Sequence, residues 1–116
     1  GLALMGADNL ADAARQGNMA QVRYLVQMGV SPNQTDYEGH YTPLIQAAMS
    51  GQEEVVHYLV LKAGADVNYR IPDSPLTAYV CAKGYKHLKI ADFLKAQGAV
   101  EEPVPYWLHP HPFRAE

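Results

Sequence analysis

The chain has 116 residues, 48% of them apolar and 18% charged, an ordinary globular composition that suffices for one domain with a modest core. A net charge of −3 and a pI of about 5.9 give no electrostatic footing for nucleic acid or an anionic membrane, and no stretch nears the roughly 20 apolar residues that cross a bilayer. The single cysteine, Cys81, excludes an internal disulfide framework and suits a reducing compartment.

The opening GLALMGA lacks a basic flank and is too short for a secretory signal. The first expected element is a short alanine-rich helix around Ala13, broken at Gly17, where a left-handed residue is wanted. VRYLVQMG (22–29) then reads as a longer helix with Val, Tyr and Leu on one face, stopped by Gly29. NQTDYEGHY (33–41) is rich in turn formers and suits a protruding loop. Thr42 is placed as a helix N-cap and Pro43 at the first helical position, opening a helix through PLIQAAMS that Gly51 closes. At about two turns, that helix cannot stand alone in water, so something must pack on both its sides.

Glu53 and Glu54 open the next helix, where negative charge suits the helix dipole, and VHYLVLKAG (56–64) carries it to Gly64. NYRIPDSPL (68–76) is a second turn-rich loop, and Thr77 repeats the cap. In the third short helix, around Ala82, the break falls on Lys86, or Gly84 shifts it; the spacing leaves both open. ADFLKAQG (91–98) is the last long helix. The remaining EPVPYWLHPHPFRAE (102–116) holds four prolines with Tyr106, Trp107, Leu108 and Phe113, more apolar groups than a free tail carries. It is expected to fold back as a cap; the rival reading is an extended linear motif shown to a partner.

A shift of about 35 residues brings these elements into register. Asn33 falls on Asn68 and Thr42 on Thr77, each 35 apart, while Tyr24, Tyr58 and Phe93, then Leu25, Leu59 and Leu94, take matching places. Three units follow, about 8–33, 34–68 and 69–101. The alanines Ala13, Ala47 and Ala82 let neighbouring short helices approach closely, and stacking supplies the core no single unit has. The aromatic stripe Tyr24, Tyr58, Phe93 is expected as a core ladder between the longer helices.

The middle unit, DYEGHYTPLIQAAMSGQEEVVHYLVLKAGADVN (36–68), resembles an ankyrin repeat in its Thr-Pro-Leu start, Ala-Ala pair, Val-Val pair and GADVN end, with the outer units degenerate. The resemblance implies an all-α solenoid of stacked helix-turn-helix units with protruding β-turn hairpins over residues 1–101, followed by the tail at 102–116. This chain departs from the family where Ile45 replaces the histidine after Thr-Pro-Leu, where Tyr41 and Leu76 each lengthen a hairpin, and where Ile71 and Ser74 replace Asp and Gly in the second hairpin.

The family does no chemistry and presents hairpin tips and first helices to a protein. Carried over by position, the resemblance implies partner contacts at Tyr37, Glu38, His40, Tyr41, Gln46, Met49, Tyr69, Arg70, Asp73 and Tyr85; outside the resemblance, Tyr106, Trp107 and Phe113 are the candidate residues of the tail. The expected function is a small stand-alone adaptor or inhibitor, monomeric and cytoplasmic, binding a protein partner but no nucleic acid, membrane, metal or cofactor. The alternatives are a spacer within a longer array, or a scaffold presenting the tail.

An enzyme is not expected. His40, His57 and His87 fall in different environments, and His109 and His111 alternate with Pro110 and Pro112, with no Cys or carboxylate placed to complete a metal site. Cys81, between Val80 and Ala82, reads as a buried apolar thiol rather than a nucleophile.

Overall fold

A computed structural model describes residues 9–36 and 40–108. Among the described residues six α-helices are arranged as three antiparallel pairs: α1 (Leu10–Gln16) with α2 (Met19–Gln27), α3 (Pro43–Ser50) with α4 (Glu53–Leu61), and α5 (Ala78–Gly84) with α6 (Leu88–Ala96). A 3-10 turn, Tyr106–Leu108, follows α6.

Each short helix starts on a side-chain cap. The Thr42 hydroxyl accepts the Ile45 amide at 3.2 Å and the Thr77 hydroxyl accepts the Val80 amide at 3.2 Å, with Asn9 doing the same for Asp12 in α1 at 2.8 Å. Each is also closed alike: an amide two or three residues past the helix returns to an alanine carbonyl five residues back, Asn18 to Ala13, Gln52 to Ala47 and His87 to Ala82, at 2.8–3.0 Å. That closure requires a left-handed residue between helix and return. Gly17 and Gly51 supply it at φ 75° and 74°, and in the third unit Lys86 takes it at φ 65°. The break therefore stays on the lysine, and Gly84 remains inside α5.

The short helices form one continuous layer, α1 on α3 and α3 on α5, whereas the longer helices touch their neighbours only locally. Side-chain size explains the difference. Ala13, Ala14, Ala47, Ala48 and Ala82 are buried in the short helices, so those backbones approach closely, while the longer helices, which carry Val, Leu and aromatic groups, stay farther apart. The first-helix layer is thus the tighter, inner side of the stack.

The core runs through all three units, from Leu10, Val22 and Leu25 through Leu44, Val56 and Leu59 to Val80, Ile90 and Leu94. The aromatic stripe sits at its edge rather than within it. Tyr24 is 39% exposed, and Tyr58 and Phe93 are half-buried against the core, because the sparse contact between longer helices leaves this row open to solvent. The Phe93 ring lies against His57, centroids 4.1 Å apart.

The two hairpins close through one shared bond, the Asp36 amide to the Tyr41 carbonyl at 2.9 Å and the Ile71 amide to the Leu76 carbonyl at 3.0 Å. Their interiors differ. The Asp36 carboxylate accepts the His40 amide at 3.2 Å, whereas Ile71 at the equivalent place is buried and the Ser74 hydroxyl accepts the Leu76 amide at 3.1 Å. An Arg70–Thr77 bridge completes the second hairpin, with Asp73 at its tip in the left-handed region at φ 57°.

Candidate interaction surface

Two ladders of side-chain bonds tie unit to unit. The residue just after each break opens the longer helix. In the first unit it is Asn18, short enough to cap its own helix by accepting the Gln21 amide at 3.1 Å. In the second and third it is Gln52 and His87, long enough to reach back. Gln52 Nε2 donates to the Arg15 carbonyl at 3.0 Å, and His87 Nε2 meets the Met49 carbonyl at 3.1 Å. Both carbonyls lie in last helical turns, where the helix itself leaves them without partners.

At the far end of the longer helices the asparagines do the same. Asn33 accepts the Asp66 amide at 2.7 Å; Asn68 accepts the Val100 amide at 2.9 Å and donates to the Gly98 carbonyl at 3.0 Å. The 35-residue spacing of Asn33 and Asn68 flagged these positions, but their bonding across units needed the stack. Clamped at both ends, the units hold the hairpins and first-helix ends in fixed register.

On that frame the sequence-derived contact residues separate into groups. Tyr37, Glu38 and Phe113 lie outside the described residues. Tyr41, Met49 and Tyr69 are half-buried and pack against the core, so part of each side chain holds the fold. Gln46 is half-buried on α3. Arg70 is exposed, yet its guanidinium pairs with the Glu102 carboxylate at 2.8 Å, tying the second hairpin to the segment after α6. His40 and Asp73 stand out on hairpins and Tyr85, 41% exposed, stands at the end of α5. In the tail Tyr106 is 66% and Trp107 61% exposed, and the residue turned inward is Leu108.

Reactive chemistry has little support on these elements. Cys81 is fully buried, and burial pushes its thiol up to about 12, so it stays protonated at neutral pH and is a poor nucleophile. Among the described residues no group of three or more His, Cys, Asp or Glu could hold a metal ion, and no helix is long and apolar enough to cross a membrane.

Comparison with known proteins agrees with this architecture. A family model described as ankyrin repeats in three copies matches residues 5–71. The chain is 40% identical over 78 residues to an ankyrin repeat protein of Rickettsia felis, an alignment covering 64% of this chain and 40% of that one. It is 35% identical over 102 residues, 86% of its length, to the glycerophosphocholine phosphodiesterase gde1 of Schizosaccharomyces pombe, of which it covers 8%. It is 41% identical over 51 residues, 44% of its length, to the potassium channel SKOR of Arabidopsis thaliana, of which it covers 6%. The chain thus spans less than half the length of each of these relatives. With its described helices in three stacked pairs and a family match over more than half its residues, the chain belongs to the ankyrin repeat family.

Proposed function

We propose that the chain is a non-catalytic protein-binding module whose partner lies across the hairpins and the ends of the first helices, and that it acts as a small adaptor or inhibitor in the cytoplasm. Ankyrin repeats are in general protein–protein interaction modules; the partner-facing residues and the adaptor role are the finer reading. The observation that carries it is the division of labour within each unit. Nearly every apolar position of the first helices is used up in stacking, while the adjoining hairpins and helix ends leave His40, Asp73 and Tyr85 exposed on a rigid support. Aromatic and charged groups held on fixed elements bind at low entropic cost.

A photo-cross-linking phenylalanine analogue at position 40 or 85, compared with one at Leu61 on the outer helix α4, tests the placement in native lysate. Leu61 is 56% exposed, so accessibility does not favour the hairpin sites. The expected result is one common adduct from positions 40 and 85 and none from 61. An adduct from position 61 alone would move the site to the outer helices.

A spacer role within a longer array is the second reading. The short coverage of the relatives favours it, since there the matching region is a small part of a larger chain. Under that reading none of the three positions yields an adduct from the isolated chain.

A further inference from the structure

In a stacked array the terminal helix should be half-exposed, because only one neighbour covers it. α5 does not behave so. Six of its seven residues, all but Lys83, are buried, against five of eight in α3, which is sandwiched between two helices. The cover on the open side of α5 is the segment after α6. Gly84 shows how closely it sits: a Cβ there would lie 2.6 Å from Leu108 Cδ2 and 3.3 Å from Val104 Cγ1. Gly84 has no positive φ, so its backbone does not require glycine. Its missing side chain is instead the socket into which Leu108 fits.

Charged contacts hold the same segment down from three elements. Glu101 pairs with Lys95 of α6 at 3.1 Å and accepts the Tyr79 hydroxyl of α5 at 3.4 Å, and Glu102 pairs with Arg70 of the second hairpin at 2.8 Å. The chain between these ties and Leu108 is stiffened by Pro103 and Pro105, and the Leu108 amide returns to the Pro105 carbonyl at 3.0 Å.

We propose that residues 101–108 form a built-in strap that seals the stacking face of the third unit, with Leu108 as pin, Gly84 as socket and Glu101 and Glu102 as ties, and that unseating the strap makes the chain associate with copies of itself. The face beneath is that of an ordinary interior repeat: small at Gly84, apolar, and continuous with the core. Uncovered, it is an end face without the polar surface that a terminal repeat needs to remain in solution.

Trp107 is the single tryptophan and sits beside the pin, 61% exposed, so its anisotropy decay reports whether the strap is seated without an added label. Two variants unseat it differently. Leu108→Asp removes the pin, whereas Gly84→Ala fills the socket and at the same time favours the helix by its propensity. In the unmutated chain Trp107 should depolarise with overall tumbling, and sedimentation should show a monomer. In both variants, with far-UV circular dichroism unchanged, Trp107 should gain a nanosecond component and the α5 amides should exchange at least about tenfold faster. Sedimentation should then become concentration-dependent. Fast Trp107 motion in the unmutated chain overturns the strap; released variants that remain monomeric overturn its sealing role. If Leu108→Asp fails to fold, Gly84→Ala decides, because alanine itself does not weaken α5.

Discussion

At the residue scale, the glycines of this fold answer to two separable demands, left-handed backbone and room for a neighbour. Gly51 and Gly64 adopt nearly the same φ, 74° and 77°, but a Cβ on Gly51 would lie 2.7 Å from His87 Cε1, whereas nothing lies within 4 Å of one on Gly64. Gly64→Ala should therefore cost only the backbone penalty, about 1–2 kcal/mol. Gly51→Ala should cost more, and the excess should disappear in a His87→Ala background; urea unfolding of the double-mutant cycle measures it. Equal costs at the two glycines would show that His87 swings aside freely and that its bond to Met49 is weak.

At the element scale, each longer helix has an inward and an outward row, and two leucines in α4 distinguish them. Leu59 is fully buried while Leu61 is 56% exposed. Leu59→Ala should destabilise by about 2–5 kcal/mol and Leu61→Ala by no more than about 0.5 kcal/mol, read from chemical denaturation. The same scale governs the ties of the segment after α6. A hydrogen bond and the positive charge of Lys95 hold the Glu101 carboxyl below its ordinary value, and Glu101 in turn holds the Lys95 ammonium above its own. A depressed carboxyl contributes above its unfolded pKa and stops contributing as pH falls through the folded one. A raised ammonium contributes below its unfolded pKa and stops as pH rises through its folded value. Seating should thus loosen on the acid side of the carboxylate range. Both groups are solvent-exposed, so the effect is small and weakened by salt. Trp107 anisotropy followed from pH 7 into acid should fall, and the fall should be smaller in Glu101→Gln.

At the scale of the whole molecule, the stack is a one-dimensional chain of units whose stability is shared through interfaces. Cys81 lies in that shared core, with its thiol pushed up to about 12. A thiol reagent at neutral pH should leave the folded protein unlabelled, and the slow labelling that does occur should follow global opening. Labelling should accelerate in step with unfolding as urea is raised. Rapid labelling in water would mean that the third unit opens by itself.

Much of this architecture is local in origin and could therefore be read along the chain. Thr42 and Thr77 cap because a hydroxyl accepts a nearby amide, Gly17 and Gly51 turn because glycine tolerates positive φ, and the 35-residue register follows from repeating those signals. The register gave three copies of one stacked unit, and it was the resemblance of the middle unit, 36–68, to an ankyrin repeat that implied the family and its all-helical fold. What the chain could not disclose were matters of which side chain meets which across units. Lys86 keeps the left-handed site because the His87 amide still returns to Ala82, and Gln52 and His87 are clamps because the preceding unit leaves a carbonyl within reach. Tyr41, Met49 and Tyr69 looked like free contact residues in sequence, yet are half-committed to packing. In the tail the conspicuous Trp107 faces solvent, and the plain Leu108 does the burying, because the deciding feature is a missing side chain at Gly84, 24 residues away in sequence and visible only once the chain has folded back upon itself.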